Sequence, residues 1–278
     1  MTTQPIFAEL ESRALIAVSG ADWRSFLQGL LTQDVERLAP GEARLAALLT
    51  PQGRLLWDLF LIGREDGAWL DVAREHRAAI VQRLSMYRLR AKVEIAPDAA
   101  VVSALFLDPP PGGEHLFVRD PRLPELGLRG YGAAAPAAAA QANEAAYDAY
   151  RLSLGVPGPA DWGSEKTYPI EANFDLLHGI DFKKGCFVGQ ETTSRMKRRG
   201  QIKTRMLPIA FDGEAPPRGA EVLAGELRAG EVLSGAGGRA MALLRLDRIG
   251  GALTVDGRPV RVERPAWIVE ALGEAAPA

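Results

Sequence analysis

The last roughly 75 residues of the chain break into short apolar runs separated by Gly and Pro, at 204–210, 221–223, 230–234, 239–246 and 260–263. Brief strands at such spacing gain a core only by packing on one another, so this part is expected to form a small barrel or sandwich. The amino-terminal part is mixed. An apolar run at 14–18 precedes Ser19 and Asp22, either of which can cap a helix carrying Trp23, Phe26, Leu27, Leu30 and Leu31 on one face. Strand patterns come next at 46–49, 54–62 and 68–72, with a Thr50-Pro51-Gln52-Gly53 turn between the first two. A helix is expected over 75–89, with Ile80, Leu84 and Tyr87 in step, then strands at 92–95 and 101–107. Strands, a helix and further strands within this length imply an α+β arrangement, with helices on one face of an antiparallel sheet.

Two weak boundaries come after these strands, the Asp108-Pro109-Pro110-Pro111-Gly112-Gly113 turn and the Ala-rich stretch 133–140. A second helix is expected from Glu144, with Tyr147, Tyr150 and Leu154 on one side and Gly155 ending it; 156–167 reads as loop. A chain of 278 residues suggests two or three domains. With 33 Lys+Arg against 35 Asp+Glu the net charge is −2, which excludes binding to polyanions by bulk charge. At 47% hydrophobic and 24% charged residues the chain is not intrinsically disordered. The single cysteine excludes an intramolecular disulfide and a cysteine cage built by one chain. His76, His115 and His178 are scattered without ligand spacing, which argues against a catalytic metal held by His and Cys. No apolar run reaches the ~18–20 residues that span a bilayer. The opening MTTQPIFAELESR has acids where a signal peptide has a basic region, so a cytoplasmic location is expected.

Residues 181–195 are densest in chemistry. Lys183 and Lys184 precede Cys186, and a helix start is expected after Gly189; both favour a thiolate, which is nucleophilic and binds soft metals. Gly185 and Gly189 bracket the cysteine and permit tight turns. The competing reading is a buried cysteine packed as a small hydrophobe. No His or Asp partner stands beside it in sequence, so a protease-like pair is unsupported. Arg195, Lys197, Arg198, Arg199, Lys203 and Arg205 form a basic run suited to a phosphate, an RNA or a ligand with several carboxylates, or else to a solvated loop. Gly200 interrupts the run and no aromatic side chain lies within it for base stacking, so no direct nucleic-acid binding is expected; Arg195 is the best single candidate. Asp58 lies in an apolar strand and either points to solvent or is kept to bind something. Gln28, Thr32, Gln33 and Asp34 form a polar cluster, and Glu171 is an isolated acid in Tyr168-Pro169-Ile170-Glu171.

The run Lys184-Gly185-Cys186-Phe187-Val188-Gly189-Gln190-Glu191 resembles the KGCYxGQE signature of the YgfZ family, folate-binding proteins related to the T protein (aminomethyltransferase) of the glycine cleavage system, with Phe187 where Tyr is usual. Val18-Ser19-Gly20-Ala21-Asp22, Phe26-Leu27-Gln28-Gly29, Thr32-Gln33-Asp34, Leu49-Thr50-Pro51-Gln52-Gly53-Arg54, Tyr87-Arg88-Leu89-Arg90, Tyr150-Arg151-Leu152, Gly155-Val156-Pro157, Pro169-Ile170-Glu171 and Gly230-Glu231-Val232-Leu233-Ser234 agree in order, so the resemblance covers nearly the whole chain.

It implies an α+β three-domain ring: a split first, folate-binding domain at 1–45 and 144–199, a ferredoxin-like domain at 46–143 and a C-terminal β-barrel at 200–278. It further implies a folate pocket that takes tetrahydrofolate or a derivative. Asp58 looks like the acid that faces folate in the T protein. Gln28, Thr32, Glu171, Gly185, Gly189, Gln190, Glu191 and Arg195 are expected around the cofactor, with Cys186, Lys184 and Asp58 as the reacting groups. By resemblance such a chain is a monomer that serves the assembly or repair of iron–sulfur proteins, tRNA methylthiolation among their activities, with a transient cluster on the cysteine. One departure stands out. T proteins carry a folate-contacting Glu where this chain has Ser153, and that makes dedicated aminomethyl transfer, the alternative reading, less expected.

Overall fold

The computed structural model describes residues 4–107, 116–163, 165–200 and 202–272. The turn expected at 108–113 lies outside them. Contacts divide the chain into two compact units, Met1–Tyr147 with Leu177–Gln190, and Asp148–Leu176 with Glu191–Ala278.

The first unit runs β1 (Ile6–Glu9), β2 (Arg13–Ser19), α1 (Trp23–Gln28), β3 (Ala43–Leu49), β4 (Leu55–Arg64), β5 (Gly67–Ala73), α2 (Arg77–Arg88), β6 (Glu94–Asp98), β7 (Val102–Phe106), β8 (Phe117–Arg119), β9 (Leu128–Tyr131) and β10 (Ala140–Ala142). They build two five-stranded sheets, ordered β3-β4-β5-β2-β6 and β10-β1-β7-β9-β8. The first is antiparallel throughout, and the second pairs β1 with β10 in parallel. Trp23 and Leu27 of α1 and Ile80 and Leu84 of α2 share a core with Ile16, Val18, Leu59, Leu61 and Leu70 of the first sheet. Those helical positions are the ones the 3.6 period marked.

Three expectations change here. The first helix ends at Gln28 because the sheet claims the residues just beyond it: Leu31 bridges Leu48, and the Thr32 N–H donates to the Ala47 carbonyl at 3.1 Å. Asp22 takes the N-cap position as expected, but neither predicted side chain caps the helix. Ser19 lies in β2, and the Asp22 carboxylate accepts from the Lys92 N–H at 2.8 Å instead. A boundary at 45/46 does not match the sheets, since β3 runs through it and β2 lies between β5 and β6. The cause is burial: Leu15, Ile16 and Val18 of β2 are almost fully enclosed, as suits a strand inside the sheet with both faces covered.

The second unit holds most of α3 (Glu144–Ser153) and α4 (Gln190–Arg199), then β11 (Thr204–Phe211), β12 (Glu221–Ala224), β13 (Leu227–Ala236), β14 (Arg239–Arg245), β15 (Leu253–Val255), β16 (Arg258–Val262) and α5 (Ala266–Leu272). The strands close as a barrel, β11-β14-β13-β12-β15-β16, with β16 returning to β11, so the barrel alternative holds. β15 is a strand the sequence pattern missed. Its three residues are too few to show alternation. Gly155, at φ +69°, ends α3 as expected, its N–H donating to the Leu152 carbonyl at 2.9 Å.

Candidate functional site

The loop that carries the lone cysteine lies in the first unit and is held from several directions. Thr32, fully buried, donates its hydroxyl to the Gly179 carbonyl at 2.6 Å and accepts the Ala47 N–H at 2.8 Å. The Asp181 N–H donates to the Thr32 carbonyl at 3.0 Å, and Gln33 Nε2 donates to the His178 carbonyl at 2.6 Å. Asp181 Oδ1 then accepts the N–H groups of Lys183 and Lys184 at 2.7 and 3.1 Å, an Asx-type turn that sets the loop's direction.

Lys184 is the principal anchor. Its ammonium donates to the carbonyls of Gln28, Leu31 and Gln33 at 2.7, 2.6 and 2.9 Å, around the point where α1 ends. A single three-donor ammonium thus satisfies three carbonyls at once, that of Gln28 at the helix end and those of Leu31 and Gln33 just beyond it. Burial pushes the Lys184 pKa down to about 8, against Asp34, Asp181 and Glu36, which favour its charge. The group is therefore still mostly protonated at neutral pH. Beyond the cysteine, the Phe187 ring is buried and lies 5.2 Å from that ammonium, and the Val188 N–H donates to the Gly29 carbonyl at 3.2 Å. Gly189 (φ +80°) presses so closely on the 50–53 turn that a Cβ there would come within 2.6 Å of the Thr50 carbonyl oxygen. Between these anchors Gly185 and Cys186 stand exposed, the thiol free. The alternative of a cysteine packed in the core is thus excluded.

This geometry reassigns several expected site residues. Lys184, expected among the reacting groups, spends its donors on the loop's attachment. Gln28 is also spent locally, its Nε2 donating to Asp34 and its Oε1 accepting the Val35 N–H, and Thr32 is spent as described. Glu171, in the second unit, accepts the Tyr168 N–H at 2.9 Å and the Thr204 hydroxyl at 2.5 Å, and so ties its loop to β11. Gln190 and Glu191 open α4, where Glu191 and Arg195 are exposed and in no ion pair among the described residues.

Asp58 neither points to solvent nor stands free. It is buried on β4, with Oδ2 accepting from Arg13 Nη1 at 3.0 Å. Arg13 continues to Asp71 (2.7 Å), Asp71 to Arg129 (2.5 Å), and Arg129 faces Asp120, which Arg122 holds at 2.7 Å. The three guanidinium groups surround the Phe60 ring at 5.6, 4.0 and 5.0 Å. Burial alone would raise the Asp71 and Asp120 pKa values, but the arginines outweigh it and hold both below the usual carboxylate range. Sequence reading missed this network, although Asp71 between Leu70 and Val72 carried the same signal as Asp58.

The polar groups of Gln28, Thr32 and Glu171 are committed to protein, and a cavity of about 530 Å³ in the first unit, bordered by Trp69, Arg64, Ser19 and Tyr131, includes none of the expected residues. Among the described residues, no group of three or more His, Cys, Asp or Glu side chains is placed to hold a metal ion.

Known proteins bear on these observations. A family model, the CAF17 C-terminal β-barrel domain, matches residues 203–270. The crystal structure of glycine cleavage system aminomethyltransferase T from Bartonella henselae covers 96% of this chain and 87% of its own at a TM-score of 0.79 and 20% identity, so the fold is of the aminomethyltransferase type. In sequence the chain is 31% identical over 283 residues to the mitochondrial iron–sulfur cluster assembly factor IBA57 of Mus musculus, covering 88% of this chain and 79% of that protein. It is 35% identical over 237 residues to the IBA57 homologue of Mycosarcoma maydis, covering 76% of this chain. The chain belongs to the IBA57 family. It spans 59% of the length of the Mycosarcoma protein and 57% and 54% of two further fungal homologues. These relatives are named mitochondrial, which overturns the cytoplasmic location read from the amino-terminal stretch.

Proposed function

We propose that this chain assists the assembly or repair of iron–sulfur proteins by lending Cys186 as a transient ligand to a cluster passing between partner proteins. The observation that carries the reading is a free, exposed thiol at the tip of a loop anchored on both sides of it. One cysteine cannot hold a cluster alone, so the remaining ligands come from the partner. The step is ligand exchange without redox change. The Cys186 thiol gives up its proton, its sulfur forms a bond to iron, and a partner thiolate leaves that iron and takes up a proton.

Membership in a family of proteins named as cluster assembly factors supports this role, and the KGCFVGQE run supports the narrower assignment to its YgfZ branch. Through the cluster enzymes it would serve, the chain affects tRNA methylthiolation, and it acts as a monomer. Tetrahydrofolate binding is the weaker part of the reading. Among the residues expected around the cofactor, Asp58 has Oδ2 taken by Arg13, which leaves Oδ1 as an acceptor for it. Aminomethyl transfer has less support, because Ser153 replaces a carboxylate and its hydroxyl donates to the Tyr150 carbonyl.

The test is complementation in a strain deleted for this gene. Cys186→Ser is expected to fold normally and to leave 4Fe–4S enzyme activity at the level of the deletion; full restoration overturns the reading. Calorimetric titration with tetrahydrofolate, with wild type and Asp58→Asn, decides the folate part separately.

A further inference from the structure

The end of α2 exposes side chains that a soluble protein ordinarily hides. Six large apolar residues are exposed among the described residues, and three of them, Met86 (60%), Tyr87 (38%) and Leu89 (88%), fall within four positions. Scattered single exposures need no explanation, but a contiguous cluster marks an interaction site. Leu89 adopts φ +46°, a left-handed conformation that disfavours a side chain. Glycine is the usual residue there, yet this chain keeps a leucine and turns nearly all of it to solvent.

The turn beyond it is firmly set. The Ala91 N–H donates to the Arg88 carbonyl at 2.8 Å, the Asp22 N–H to the Lys92 carbonyl, and the Asp22 carboxylate accepts the Lys92 N–H. Gly20 packs behind, where a Cβ would lie 2.4 Å from the Lys92 carbonyl oxygen. Leu89 is thus presented by a fixed backbone. Four cations frame the patch: Arg83, whose guanidinium lies 5.8 Å from the Tyr87 ring, and Arg88, Arg90 and Lys92. None of the four is in an ion pair among the described residues, and Glu94 is the one exposed acid close by in sequence.

We infer that the segment 83–92 is a docking surface for a partner protein, and that its occupant is an acidic segment whose own apolar side chains cover Met86, Tyr87 and Leu89. Charge complementarity selects the acidic partner, and the central leucine supplies the apolar anchor. A nucleic acid fits less well, because Tyr87 is the one aromatic ring of the patch and the more exposed Met86 and Leu89 offer bases no stacking surface. So does a membrane, since the exposed apolar residues occupy one turn rather than the length of an amphipathic helix.

Photocrosslinking in cells tests this on the full chain. Benzoylphenylalanine is placed at exposed Ser85, which leaves the apolar residues intact, and at Leu227 as a control. The expected result is a protein adduct from position 85 that is absent from 227, falls about tenfold or more with Arg88→Glu/Arg90→Glu, and is lost with Leu89→Gly. The thermal midpoint of Leu89→Gly should stay at or above that of wild type, because glycine relieves the left-handed backbone. The absence of an adduct, an RNA or lipid adduct, an adduct with a second copy of this chain, or an adduct that survives both substitutions overturns the inference. Cys186→Ser should leave the adduct intact, so failure of the cluster-ligand reading would not be mistaken for failure of this one.

Discussion

Within the cysteine loop, two residues that look alike in sequence have different duties. Gly185 and Gly189 both read as turn glycines, but a Cβ at Gly185 meets nothing within 4 Å, whereas one at Gly189 meets backbone on a left-handed residue. Gly185→Ala is therefore expected to change stability by no more than about 0.5 kcal/mol, and Gly189→Ala to cost well over about 1 kcal/mol; urea unfolding midpoints separate the two. Lys184→Met strips three carbonyls of their donor, and because the Leu31 contact is buried while those to Gln28 and Gln33 are part-buried, the expected cost is that of one buried group left unpaired, about 1–3 kcal/mol. The importance of Lys184 was legible in the sequence, but its duty was not. Its acceptors lie more than 150 positions away, and backbone carbonyls carry no residue signature.

At the level of strands, the near-continuous apolar runs placed β4 and β5 closely, and burial on both of their faces follows from them. The charges on those strands were harder to place. Asp58 and Asp71 meet Arg13 across 45 and 58 positions, and a pairing that distant leaves no local pattern. The network makes a sharp prediction. Asp71→Asn leaves Arg13 and Arg129 buried with less compensation and is expected to cost about 3–5 kcal/mol at pH 7. Because the folded pKa values of Asp71 and Asp120 are lowered, their contribution is fully present above the unfolded value of 3.8 and is lost only as pH falls below it. Urea midpoints of the wild type should hold down to about pH 4 and then drop, with the gap to Asp71→Asn closing over the same interval.

Across the whole chain, the barrel was readable because closely spaced strands broken by Gly and Pro offer few other ways to bury an apolar face. The division of the amino-terminal part was not, because β2 joins strands that lie 48 residues or more further along, and hydrophobic patterning says which face is buried without saying against which partner. The single thiol gives a count for the intact molecule. Ellman's reagent should titrate one group per chain without denaturant, the same number as in urea; a native value near zero would mean that Cys186 is shielded in solution. The anchoring of that loop has a kinetic consequence. Its conformational freedom is surrendered once, when the protein folds, so neither arrival nor departure of an iron atom has to order or release the segment around the sulfur. Such a group suits brief custody in both directions, whereas a flexible tail would have to be immobilised again at every visit.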